Sequence, residues 1–297
     1  MSAVSSIKTN RLFQTFNITF FSVISLVTLV PLLYVVAVSF TTDAEISASG
    51  YQLIPKQFSG LAYSYLLQTP KALLNAYFIT ILVTILGTLL SLLMTSTVSY
   101  VMTRRDYRYS NATSFYVFFT MLFNGGLVPT YLVVTKVLHI QDTLWVLFLP
   151  YAVSPMFAML MRGFLKEIPY EVIESGKVDG AGEFRIFASI VMPLAKPALA
   201  TVGLFYALAY WNDWWLAMLY ISNEKLIPLQ FMLQRIMSNL QYLTSNMQAG
   251  LNIDMSQIPG ESSRMAIALL AIGPMMFAFP LFQRHIVRGL TLGAVKG

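Results

Sequence analysis

Residues 206–220, YALAYWNDWWLAMLY, hold the densest set of side chains in this chain that could act on a ligand. Tyr210, Trp211, Asn212, Asp213 and Trp214 follow one another directly. Indole faces suit the faces of sugar rings, and polar tips among aromatics suit hydroxyl groups. The same residues also suit an interfacial aromatic belt with one satisfied acid. Asp213 can hydrogen-bond to structure. Other chemistry finds no support. There is no cysteine, so thiolate metal sites are excluded. His139 and His285 are far apart in sequence and read as interfacial side chains. The phosphate-cradling pattern G-x-x-x-x-G-K-[ST] does not occur, and no nucleophile–base pair stands out. The chain therefore reads as no enzyme, with no metal or cofactor of its own.

The elements that must position these residues follow from composition. Apolar residues make up 57% of the chain and charged residues 11%, and the mean hydropathy is strongly positive. A soluble domain lacks the polar exterior to hide so much apolar surface, so lipid is the solvent. About 20 mostly apolar residues cross a bilayer core. Six segments meet that length: 16–40, 75–101, 115–137, 143–164, 197–221 and 264–286. The first follows Lys8 and Arg11 and resembles a signal peptide. Its apolar run is too long for one and lacks a convincing cleavage site, which makes it a retained span. The expectation is an all-α, multi-pass membrane protein, residues 1–297 forming one transmembrane domain.

Charge sets the orientation. With the N-terminus inside, about two thirds of the Lys and Arg residues fall on the cytoplasmic side, Arg104, Arg105, Arg108, Arg162 and Lys166 among them. Both termini are then cytoplasmic, residues 41–74 and 222–263 face outward, and 165–196 face inward. The basic excess needs no nucleic acid. Helix breakers accumulate in FNGGLVPTY (123–131), at Pro150 and Pro155, and at Gly273, Pro274 and Pro280. Freed backbone groups in lipid must find partners in other helices or in water, so these breaks fit either kinked packing or helices that line a path. No internal repeat is visible.

The inward segment holds ESGKVDGAGEFRIF (174–187). Pro169 suits a first helical turn, with Glu171 and Glu174 in its positive N-terminal half. Asp179, Gly180 and Gly182 supply a turn. A second short helix carries Phe184, Phe187 and Ile190 at helical spacing, with Glu183 on its solvent side, and Pro193 and Pro197 close it. A knob carrying acids and an exposed phenylalanine pair suits the groove of a partner protein, or lipid headgroups.

ESGKVDGAGEFRIFASIVMPLAKPAL resembles the cytoplasmic loop of ABC-type importer permeases, whose pattern runs Glu-Ala-Ala, two residues, Asp-Gly-Ala, then Phe, Ile and two prolines. Glu174, Asp179, Gly180, Ala181, Phe187, Ile190, Pro193 and Pro197 hold the matching positions. Ser175 and Gly176 replace the two alanines; both are small, so close approach survives, while Gly176 weakens its helix by about 1 kcal/mol. The tail RGLTLGAVKG (288–297), with Gly293 and Lys296, is similar to the ending of sugar permeases related to the maltose-transporter subunit. The resemblance implies a permease in a prokaryotic inner or plasma membrane, paired with a second homologous permease. It implies an extracytoplasmic sugar-binding protein, and a cytoplasmic ATPase dimer that binds ATP and Mg. The loop, including Ser175, Gly176 and Phe184, would dock on that ATPase, and the tail would reach toward its dimer interface. Tyr210, Trp211, Asn212, Asp213 and Trp214 would line the sugar route. FNGGLVPTY and YWNDWW look most like permeases for oligosaccharides from plant or algal polysaccharides, uronate-containing ones included. The alternatives are an ion-coupled transporter acting alone, which would be expected to carry several membrane-embedded ionisable groups, and a structural subunit of a membrane enzyme.

Overall fold

The computed structural model describes residues 11–247 and 260–276, and these are helical apart from turns, loops and one isolated bridge between Thr41 and Phe58. The described parts of 1–69 and 237–272 form one compact unit, and those of 70–236 and 273–297 another.

In the first unit, α1 (Arg11–Ser39) is apolar on all faces and exposes them, Phe16 and Leu26 each by 64%. Its 29 residues span about 44 Å, more than a hydrocarbon core needs. Beyond it, α2 (Asp43–Ser49) starts on a Thr42 cap and α3 (Leu61–Leu66) follows. Asp43 accepts hydrogen bonds from Gly260 N at 2.6 Å and Ser262 N at 3.0 Å. These orphan donors open a helix described from residue 261 to 276, and a carboxylate is their favoured partner.

In the second unit, α4 (Pro70–Thr103) is the long axis. Then come α5 (Ser110–Leu122), α6 (Leu127–Leu132) prolonged by a π turn to Val137, two 3₁₀ turns (Leu144–Leu147, Leu149–Tyr151) and α7 (Pro155–Lys166). Residues 170–194 give α8 (Tyr170–Val178), then α9 (Glu183–Arg185), which runs through a π turn (Ile186–Val191) into α10 (Met192–Leu194). Last come α11 (Lys196–Asn212), α12 (Trp215–Tyr220) and the first turns of the amphipathic α13 (Leu229–Met247), whose residues from Met237 on belong to the first unit. The stretch 222–263 is thus not all loop: buried Leu229, Leu233 and Leu240 recur at helical spacing along α13.

Among the described residues, α1 and α4 are long and apolar enough to cross a membrane alone, and up to five spans result if each bent pair counts as one. Residues 115–137 do not form one straight helix, because α5 and 127–137 meet at 112° across a break where Gly126 has φ +88°. The pair 144–151 and α7 bends by 55°, and 183–194 and α11 by 83°. The expected span 197–221 is interrupted as well. Helix α11 stops at Asn212, Asp213 is extended, and α12 starts afresh. Of the expected span 264–286, residues beyond 276 lie outside the described ones, as does the tail with Gly293 and Lys296.

Two tyrosines make the fourth span's break tolerable. Tyr210 donates to Phe148 O at 3.0 Å and shares a 2.7 Å hydrogen bond with Ser91. One helical turn earlier, Tyr206 accepts from Ser154 N at 2.9 Å and pairs with Thr95 at 2.7 Å. Backbone groups freed at Pro150 and Pro155 therefore end on phenols from α11, which α4 hydroxyls hold in place. Close approach makes this possible: a Cβ at Gly87 would lie 2.8 Å from Tyr210 Cε2, and one at Gly203 would lie 3.1 Å from Leu92 Cδ1. Small residues at such seams let backbones meet in lipid. We expect Tyr210→Phe to cost about 1–3 kcal/mol, because the buried Ser91 hydroxyl loses its partner and Phe148 O keeps only the 3.3 Å bond from Tyr151 N, and Ser91→Ala to cost less because Tyr210 keeps Phe148. Thermal unfolding of the purified protein in detergent checks this, and equal midpoints for Tyr210→Phe and the wild type would refute the assignment.

Candidate functional site

Helices α8 and α9 meet at a corner whose hydrogen bonds explain its glycines. Ala181 N donates to Gly176 O at 2.9 Å and Gly180 N to Lys177 O at 3.0 Å. This pair of bonds closes a helix on a left-handed residue, and Gly180 has φ +77°. Gly176 serves a different need. A Cβ there would sit 2.7 Å from Ile190 Cδ1, so the glycine lets α8 rest on the following π turn. Buried Ile173, Ile186 and Val191 complete that contact.

The outer face of the corner is bare. Val178 is 88% and Phe184 81% exposed, and Glu174, Ser175, Asp179 and Gly180 are exposed beside them. Phe187 departs from the expected exposed pair: it is half-buried and packs on Tyr100, with ring centroids 5.2 Å apart. The spacing Phe184–Phe187 carries one side chain out and the other in.

The corner is braced from behind by charges that sequence reasoning passed over. Arg104, 4% exposed, places Nη2 2.7 Å from Glu183 Oε1 and 2.8 Å from Asp106 Oδ2. Tyr100 donates to Glu183 Oε2 at 2.8 Å. Lys177 pairs with Asp106 and lies 3.6 Å from Glu183. Two cations and two carboxylates thus alternate between the end of α4 and the corner, so the buried guanidinium is compensated. Burial raises the Asp106 carboxyl, but the Lys177 hydrogen bond, its own backbone and Arg104 outweigh it and leave it below the ordinary carboxylate range. The hydrogen bond to Asp106 likewise holds the Lys177 ammonium above its ordinary value. Glu183 is therefore not simply a solvent-side residue. Residues 71 or more positions apart join here, and no local pattern announces them; the one clue was Tyr100 and Arg104 four apart at a helix end.

The aromatic patch of 210–214 is dispersed. Tyr210 is 3% and Trp211 5% exposed, so Tyr210 serves the α4 seam and not an open path. Asn212 is exposed, and its amide donates to Leu208 O at 2.8 Å. Asp213 accepts from Leu216 N at 3.2 Å and caps α12. Trp214 stands edge-on to Trp215, centroids 5.6 Å apart, and Trp215 is 39% exposed. Among the described residues no group of His, Cys, Asp and Glu could hold a metal ion.

Bent and broken apolar helices around a braced, glycine-cornered hairpin define a polytopic membrane transport subunit. Residues 1–292 match the family described as binding-protein-dependent transport system inner membrane component, and the chain belongs to it. It is 36% identical over 290 residues to protein LplC of Bacillus subtilis (strain 168), covering 98% of this chain and 97% of that one. It is equally 36% identical, over 291 residues, to the polygalacturonan/rhamnogalacturonan transport system permease protein YtcP of the same organism, covering 97% and 99%. The crystal structure of a bacterial ABC transporter involved in the import of the acidic polysaccharide alginate aligns with a TM-score of 0.74 at 26% identity, covering 96% and 99%.

A double-mutant cycle tests the brace. Arg104→Gln and Glu183→Gln should each lower the unfolding midpoint and be non-additive by about 0.5–3 kcal/mol, as contacting residues are; additive effects would dissolve the pair. Because the Asp106 carboxyl is depressed on folding, its contribution is present above the ordinary carboxylate range and is lost as pH falls through the folded value, below about 4. Asp106→Asn should therefore flatten the acid limb of stability against pH.

Proposed function

We propose that this permease forms half of the translocation path for an oligosaccharide and that its α8–α9 corner docks on a cytoplasmic ATPase. The single observation that carries the docking is the bare ridge of Glu174, Val178 and Phe184 on a corner locked from behind. An exposed apolar patch on a rigid mount is a partner surface, and a rigid mount is what transmission of motion requires. In this reading the six spans place both termini and residues 165–196 in the cytoplasm. A second homologous permease supplies the other half of the path, an extracytoplasmic binding protein delivers the sugar, and ATP and Mg are bound by the ATPase.

The relatives' names support an oligosaccharide from plant or algal polysaccharide as cargo, an acidic one included. Asp213 does not oppose that, since its carboxylate is engaged by the α12 backbone. Asn212, Trp214 and Trp215, at the break between α11 and α12, are the side chains for the path. Tyr210 is not.

In membranes holding the complete transporter, Glu174→Lys and Phe184→Asp should leave insertion and accumulation intact while ATPase co-purification and uptake fall by an order of magnitude or more, and Gly180→Val should follow them because its left-handed φ penalises a side chain. Normal co-purification of Glu174→Lys and Phe184→Asp would remove the docking claim. For the path, Trp214→Ala should reduce uptake with assembly unchanged; if it transports normally, the aromatic belt is structural only.

A further inference from the structure

We propose that a basic cleft behind the docking corner binds the phosphate of an anionic lipid. The cleft, about 780 Å³, lies where the end of α4, the start of α5, the last turn of α7 and the start of α8 converge. Arg104, Arg105, Arg108, Arg162 and Lys166 line it, against the two carboxylates of Glu167 and Glu171. Among the described residues no ion pair engages Arg105, Arg108, Arg162 or Lys166.

Arg104 forms the inner wall of the cleft: its Nη2 is bound to Asp106 and Glu183, and its Nη1 is buried. The guanidiniums of Arg105, Arg108 and Arg162 and the ammonium of Lys166 are left to meet an occupant, and planar forks of this kind match the oxygens of a phosphate.

The surroundings favour a lipid as the source of that phosphate. Helix α5 lines the cleft with Ser110 and Asn111. Over its following turns it exposes Phe115 by 67%, Tyr116 by 68% and Leu122 by 61%. A polar recess that runs into an exposed apolar helix face fits a headgroup with its acyl chain; a protein carboxylate or a free anion uses the recess alone. Basic pockets at cytoplasmic helix ends bind acidic headgroups for the same reason. Tyr170, Glu171 and Ile173 of α8 share the cleft wall, so an occupant bears on the first turn of the docking helix. The inference rests on the cytoplasmic placement proposed above.

The complete transporter, delipidated in detergent, is to be titrated with phosphatidylglycerol, with phosphatidylcholine and with inorganic phosphate, following retained lipid by native mass spectrometry and the unfolding midpoint. Phosphatidylglycerol should be retained and raise the midpoint, and phosphatidylcholine should do neither. The triple variant Arg105→Gln/Arg108→Gln/Lys166→Gln should lose about tenfold or more in retention. Asn111→Trp, which fills the cleft and keeps its charges, should lose retention too and guards against misfolding of the triple variant. Equal stabilisation by inorganic phosphate alone would transfer the site to a free anion and overturn the lipid. Lipid retained only when the ATPase is absent would make the cleft a protein seat and overturn it as well. Equal retention by Asn111→Trp and wild type would also end the proposal. Thiol labelling of Ser175→Cys in intact cells reports separately on sidedness, so a wrong topology is told apart from an empty cleft.

Discussion

A backbone carbonyl or amide buried in apolar surroundings without a partner is the constraint on which this structure depends. The chain breaks its own helices repeatedly, and each break frees such groups where lipid offers no replacement. Tyr206 and Tyr210 show the solution. Two phenols one turn apart on α11 take Ser154 N and Phe148 O, and Thr95 and Ser91, one turn apart on α4, hold the phenols in place. Gly87 and Gly203 lie on this seam because hydrogen bonds of this length need the two helices to meet closely.

The same economy governs the α8–α9 corner. It consists of short helices, which are not stable alone. Stability comes from Ile173, Ile186 and Val191 packed inside, and from the alternating charges that tie Glu183 and Lys177 to Arg104 and Asp106. Because the brace ends at the tip of α4, a displacement of the corner must reach the helix that also carries the tyrosine seam. The α11–α12 break and the α8–α9 corner lie within one compact unit. The basic cleft opens on the same tip of α4.

Much of this was determined by the sequence alone. The apolar fraction dictates a membrane protein, since no soluble surface could be made from so few charges. The two-helix corner follows from Pro169, Gly180 and Pro193, because φ preferences act locally and need no tertiary context. Other features only the tertiary structure decided. Periodicity placed Phe184 and Phe187 together, and packing against Tyr100 separated them. Adjacency made 210–214 look like one site, but a helix turns each residue to a different neighbour, so Tyr210 went to the seam, Asp213 to a cap and Asn212 to the exterior. The alternation of Arg104, Asp106, Lys177 and Glu183 joins residues far apart in the chain, and charge pairing has no sequence period to reveal it. Composition and turn chemistry are local and legible; which polar group meets which is settled by close packing, where a missing Cβ at Gly87 or Gly176 decides what can touch.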